Sequence, residues 1–348
     1  MHLPRPAHVA SLAVAAALTL TACGTTEDPA TADPTTEEPA PDSSDASEAP
    51  DSEDAPAAGP VTFTDERGEH TLDAPAEDVV ALEWGLTENL LTLGVVPVGQ
   101  ADVEGYNTWA TVVPLDPTAT TDVGTRGEPA MSDITALDPD LIVTTTDIPE
   151  NVIVQLEDIA PVLTVRGSDA EDPLGYMRET VELLGTATGR EAEAEEALNT
   201  FDEKVAEGQA ALAEAGLEGA EFTMADGWIV NGVVSVRMYT PGSYFGAIGE
   251  ELGMVNAWTE GGDPDYGLAQ TDIEGLTALG DVQFLYVAND ASGEADPFAA
   301  GVEGNAIWEQ LPFVTSGNLH RLPDGIWMFG GPESGAAYVD AIVESLTQ

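Results

Sequence analysis

From Val61 onward the chain alternates short apolar runs with longer segments of helical repeat. Val61-Thr62-Phe63 has the two-residue period of a strand, Gly68 and Glu69 punctuate it, and His70-Thr71-Leu72 returns, so a hairpin is expected. Val79-Val80-Ala81-Leu82 is a run of buried-strand type. It leads into Thr87-Glu88-Asn89-Leu90-Leu91-Thr92-Leu93, which reads as a helix stopped by Gly94, and Val95 to Val98 resumes an extended path. Strand and helix in alternation predict an α/β protein with mainly parallel sheets.

An internal echo divides the chain. Asp133 to Val143 reads as a short helix, a turn at Asp138-Pro139 and a buried strand; Asp272 to Val287 repeats that order. Between the two copies, Arg190 to Glu214 has one apolar stripe formed by Ala194, Ala197, Leu198, Phe201, Val205 and Leu212. A helix over 190–214 would be about 37 Å long, enough to run from one lobe to the next, with Gly208 weakening it. The expected architecture is two α/β lobes, 61–189 and 215–348, joined by a single long helix. A surface helix belonging to one lobe is the alternative.

The first 60 residues have a different character. Arg5 precedes an apolar run from Val9 to Leu20, and Leu20-Thr21-Ala22-Cys23 follows at once. This resembles a bacterial secretion signal over 1–22 that ends in a lipobox, which implies a mature chain beginning at a lipidated Cys23 and anchored to the membrane by lipid alone. Residues 24–60 hold 11 acidic residues and 7 prolines with no Lys, Arg or aromatic residue, so 23–60 reads as a lipidated cysteine and a disordered acidic tether.

Composition narrows the function. The 348 residues carry 64 Asp plus Glu against 9 Lys plus Arg, a formal charge of −55, which makes nucleic acid a poor partner. Cys23 is the one cysteine, so no disulfide pair, zinc knuckle or iron–sulfur cluster can form within the chain. Beyond the signal only His70 and His320 remain, too few for a typical transition-metal site, so no resident metal is expected. The chain has no Gly-x-Ser-x-Gly, Walker loop or Gly-x-Gly-x-x-Gly at a strand-to-helix turn, so an enzyme, such as a secreted hydrolase, is a distant alternative.

Ordered motifs carry a family resemblance. Ala81-Leu82-Glu83-Trp84, Leu91 to Gly99, Gly105-Tyr106-Asn107-Thr108-Trp109, Val123 to Pro129 and Leu137 to Ile142 occur in sequence. Tyr239 to Ser243, Leu252 to Trp258, Trp308 to Val314 and Trp327-Met328-Phe329-Gly330 continue the series. Together they resemble the ferric-siderophore-binding proteins of ABC importers, especially the ferric-citrate and citrate-hydroxamate branch. The resemblance implies two lobes with a shallow cleft between them. It also implies a monomer with no cofactor that binds a ferric siderophore and delivers it to a membrane permease. Cobalamin or haem in the same cleft is the alternative ligand.

A ferric siderophore arrives with its iron already coordinated, so its receptor needs charge complementarity and aromatic walls rather than metal ligands. Arg126 follows Val123-Gly124-Thr125 in a loop and Arg237 follows the apolar Val233 to Val236, so both are expected to project from element ends into the cleft. On that basis an anionic ligand is favoured; the other reading is that each guanidinium sits in an interlobe ion pair. Tyr106, Trp109, Tyr266, Trp327 and Phe329 all stand in loop-like contexts and are the expected aromatic lining. Trp84 is assigned to cleft or core, Tyr239 is a weaker candidate along with Trp228 and Tyr244, and Trp258 and Trp308 are expected in the core. The resemblance further implies one permease-docking carboxylate per lobe. Glu274 matches in the second lobe, whereas Ala130-Met131-Ser132 stands where the family pattern has Asn-Leu-Glu. Asp133 or Glu128 is expected to take over, with Asp133 preferred at the start of its short helix.

Overall fold

The hairpin forms where the alternation places it. β1 (Val61–Asp65) and β2 (Gly68–Leu72) pair antiparallel with Val61 opposite Leu72. The computed structural model describes residues 59–347, so the signal, Cys23 and nearly all of the acidic tether lie outside the described residues. No helix among the described residues is long and apolar enough to cross a membrane.

The first lobe is built from β3 (Val79–Ala81), α1 (Trp84–Thr92), β4 (Gly99–Gln100), α2 (Val103–Trp109), β5 (Thr121–Asp122), α3 (Met131–Leu137), β6 (Leu141–Thr145), α4 (Glu150–Glu157), β7 (Val162–Val165) and α5 (Pro173–Thr188). Its sheet has the order β5-β4-β3-β6-β7, and every neighbouring pair is parallel. β3, β6 and β7 are buried along their whole length, as expected of strands covered by helices on both faces.

α6 (Glu191–Glu214) leads from this lobe to the second. The apolar stripe read from the sequence is its buried face. α6 packs against α1 and α5 of the first lobe and against two helices of the second, α7 (Tyr244–Glu251) and α9 (Pro332–Thr347), so it belongs to both. Gly208 is where α6 meets its neighbours most closely: a Cβ there would stand 2.5 Å from Val339 Cγ1 and 2.9 Å from Leu252 Cδ2. Its absent side chain lets the helices approach, which offsets the propensity cost.

The second lobe adds β8 (Glu221–Val230), β9 (Val233–Tyr239), β10 (Val255–Asn256), β11 (Leu268–Asp272), β12 (Gln283–Tyr286), α8 (Pro312–Ser316) and β13 (Leu319–Arg321). Its sheet is mixed. β10, β8, β12 and β13 pair in parallel, while β9 runs antiparallel to both β8 and β11. The departure from a mainly parallel sheet has a local cause: Asn231 and Gly232 both have positive φ, 52° and 79°, which closes a two-residue turn and folds β9 straight back on β8. The internal echo survives as α3 followed by β6, and a 3-10 turn at Gly275–Ala278 followed by β12. Trp308 packs in the second lobe's core and Trp258 against it, as their sequence contexts suggested.

One buried carboxylate ties the lobes. Glu88 of α1 is fully buried and accepts from Gly331 N at 2.9 Å, Ser334 N at 3.1 Å and Ser334 Oγ at 2.6 Å, all at the start of α9. Burial pushes its carboxyl above the usual value, outweighing the opposite pull of those bonds, and nearby Glu333 adds to the rise. A carboxyl raised on folding contributes most stability below its unfolded value and loses it as pH rises through the folded one. Melting temperature should therefore fall between pH 5 and pH 8 more steeply in the wild type than in Glu88→Gln, whose amide mimics the protonated acid. Equal slopes in thermal melts across that range would contradict this assignment.

Candidate functional site

Parallel strands joined by crossovers all end on the same edge of the sheet, and ligands of open α/β sheets bind outside that edge. In the first lobe Glu83 and Trp84 follow β3, Arg126 follows β5, Asp147 follows β6, and Arg166 follows β7; all five line one cavity. The second lobe closes it with Asp226 and Trp228 of β8, Arg237 and Tyr239 of β9, Tyr266, Asn289, and the Trp327 to Gly330 segment before α9. The cavity measures about 690 Å³, within the range of small-molecule sites.

A seam of aromatic rings runs through it. Trp84 and Trp327 meet edge to face with centroids 5.0 Å apart, Trp327 and Phe329 at 5.3 Å, and Phe329 and Tyr266 at 5.4 Å. The Tyr266 hydroxyl donates to Asp147 across the cleft, so the seam begins and ends on the first lobe. Trp84 reconciles its two readings: it is almost fully buried, donates through Nε1 to Ala101 O at 3.2 Å, and still faces the cavity. The indole Nε1 of buried Trp327 has no partner.

An arginine–carboxylate pair flanks each side of the seam. Arg126 Nη1 donates to Glu83 Oε1 at 2.9 Å and its guanidinium lies over Trp84, 3.9 Å from the ring centroid. Arg237 makes a two-point pair with Asp226, directly opposite it in the β8–β9 ladder, and lies 5.3 Å from the Phe329 centroid. Burial pushes both the Glu83 and the Asp226 carboxyl upward, against the pull of their arginines. Each pair lies within one lobe, so the interlobe ion pair is not the form they take.

The family model for periplasmic binding proteins matches residues 79–325, which takes in most of both lobes. The chain belongs to this family. The iron(3+)-hydroxamate-binding protein FhuD of Escherichia coli (strain K12) is 29% identical over 279 residues, 78% of this chain and 88% of the relative. The Fe(3+)-citrate-binding protein YfmC of Bacillus subtilis (strain 168) is 28% identical over 272 residues, 76% and 78% of the two chains. Among solved structures, the Fe3+–Desferal-bound siderophore-binding protein FhuD from Vibrio cholerae superposes with a TM-score of 0.68 at 27% identity, covering 78% of this chain and 98% of that one.

In this periplasmic binding protein most sequence-nominated residues meet in one place. Arg126, Arg237, Trp84, Trp109, Tyr239, Tyr266, Trp327 and Phe329 line the cavity, as do the weaker candidates Trp228 and Tyr244. Tyr106 does not line it. It is fully buried behind the wall with Trp84 and Trp327, and its hydroxyl donates to Val113 O at 2.6 Å; a helix (α2) formed where a loop was expected, and turned the ring inward. Asp133, Glu128 and Glu274 are exposed and outside the cavity, Asp133 in the first turn of α3 and Glu274 just before the 3-10 turn. His70 pairs with Asp65 and His320 with Gln283, both away from the cleft. The acids Glu83, Asp147 and Asp226 and the cation Arg166 were not singled out from sequence. The strand-end rule applied after β6 and β7 would have found Asp147 and Arg166.

Removing Arg237 should leave Asp226 as an unpaired, largely buried carboxylate. Arg237→Ala is expected to cost roughly 1.5–3 kcal/mol of stability at pH 8, and less at pH 5.5, because burial raises the Asp226 carboxyl and favours its neutral form as pH falls. Denaturant unfolding at both values checks this; a loss independent of pH would contradict it.

Proposed function

We propose that this periplasmic binding protein captures a ferric siderophore outside the cytoplasm and hands it to an ABC-type permease. The observation that carries this reading is the 690 Å³ interlobe cavity walled by the Trp84–Trp327–Phe329–Tyr266 seam, in a chain similar to binders named for iron(3+) hydroxamates and Fe(3+) citrate. The walls offer large apolar faces to a bulky chelate. Among the described residues no three His, Cys, Asp or Glu side chains are grouped to hold an ion, which suits a ligand that brings its iron already coordinated. In this reading the site binds its ligand and delivers it unchanged. Lipidation at Cys23 would keep the capture step at the membrane, and one protein copy suffices because both walls come from one chain.

A titration of intrinsic tryptophan fluorescence tests the reading. Trp84, Trp109, Trp228 and Trp327 line the cavity, so a coloured ferric complex should quench them saturably, with a Kd in the micromolar range or below. The panel comprises ferric trihydroxamates, ferric citrate, ferric catecholates, haem and cobalamin. Saturation by haem or cobalamin with none of the ferric siderophores would replace the reading with its alternative.

Delivery is assigned to carboxylates on the rim. Glu274 on the second lobe and Asp133 on the first are exposed and clear of the cavity, with Glu128 the other first-lobe candidate. Rim charges act mainly on association with a partner. The double variant Asp133→Lys, Glu274→Lys should therefore retain ligand affinity within about twofold while slowing siderophore-dependent iron uptake by cells. Normal uptake would move docking to other acidic residues.

A further inference from the structure

The charge of the cleft restricts which ferric complexes it takes. Five carboxylates line the cavity (Glu83, Asp147, Asp226, Glu294 and Asp296) against the three guanidiniums of Arg126, Arg166 and Arg237. Every guanidinium is already engaged by protein: Arg126 with Glu83, Arg237 with Asp226, and Arg166 with Glu66 at 3.1 Å and Asp169 at 2.8 Å. Asp296 is held by Arg321, 3.6 Å away, and by the amides of Phe298 and Ala299. That leaves Asp147 and Glu294 facing the cavity with no cationic partner. Both are exposed: Asp147 accepts only hydroxyl bonds, from Tyr266 and Thr145, and Glu294 is bonded through its backbone N to Ser292 Oγ and not through its carboxylate.

The surrounding field has the same sign. The folded region from residue 61 carries 53 acidic and 8 basic residues, and a low-dielectric cleft concentrates that potential. An anionic complex shares any arginine it reaches with the carboxylate already paired to it, and it enters against the charge of Asp147 and Glu294. A neutral or cationic complex meets neither cost.

We infer that this cleft selects ferric complexes of neutral or positive net charge over anionic ones, with Asp147 and Glu294 as the carboxylates open to a pendant ammonium. The inference rests on the siderophore reading above and names the charge class of its ligand. It reverses the preference for an anion that Arg126 and Arg237 suggested when read without their partners.

A matched ligand series isolates charge from shape. Ferric Desferal, its N-acetyl derivative and its N-succinyl derivative present the same iron–hydroxamate centre with a terminal ammonium, a neutral amide or a carboxylate. Affinity measured by fluorescence quenching at low ionic strength should fall in that order, with about tenfold separating the first from the last. In the Asp147→Asn, Glu294→Gln double variant, which keeps both hydrogen-bond acceptors, the spread should shrink to about threefold or less. Equal binding of the ammonium and succinyl complexes, an unchanged spread in the double variant, or tighter binding of ferric citrate or a catecholate than of all three would overturn the inference while leaving the siderophore reading in place. Failure of every ferric complex to bind would remove the siderophore reading, and the inference with it.

Discussion

Parallel strands impose a constraint from which the site follows. Because each strand must be reached by a crossover, all five strands of the first lobe deliver their carboxyl ends to one edge, and the residues just past those ends have nowhere to pack but into the space beyond it. Glu83, Arg126, Asp147 and Arg166 come together for that reason, although 83 residues separate the first from the last. The second lobe meets the same edge with a mixed sheet, and α6 joins the two while packing against helices of both. A helical bridge of this kind, backed by Glu88 seated on the start of α9, favours a cleft whose walls hold their spacing, with selectivity set by the side chains already in place.

Those side chains present apolar area with compensated charge. In a chain with 64 acidic residues a cleft arginine without a partner would be exceptional, and the structure pairs each one with a carboxylate from its own side. The pairs also stiffen the walls: Arg126 is fixed over Trp84 by Glu83, and Arg237 is fixed beside Phe329 by its cross-strand neighbour Asp226. Their guanidiniums thereby act as edges of the aromatic seam. In the proposed reading, recognition falls to the seam together with the two carboxylates that no cation answers.

Local patterns made much of the fold legible. The β1–β2 hairpin, the apolar stripe of α6 and the buried strand β6 rest on periodicity within ten to twenty-five residues, and each stands where its pattern placed it. The C-lobe hairpin had an equally local signal, Asn231-Gly232 between two apolar runs, which the expectation of parallel strands obscured. Gly208 was legible as a weak helix position and not as a close approach to Val339, because the partner lies 131 residues away. The site divides in the same manner. Loop aromatics such as Trp327, Phe329 and Tyr266 were recoverable from context, whereas the pairing of Arg126 with Glu83 was not, since 53 acids left too many candidates. Tyr106 failed for a related reason: only the assembled wall shows which side of α2 faces Val113.

In the proposed binding mode a ferric complex lies between the lobes against the aromatic seam. A crystal structure of this chain with ferric Desferal would show whether it does. The complex is expected in the interlobe cavity, in contact with Trp84 and Trp327, with the Arg126–Glu83 and Arg237–Asp226 pairs intact and its ammonium toward Asp147 or Glu294. A complex bound outside the cavity, or one coordinated by a guanidinium that has left its carboxylate, would contradict it.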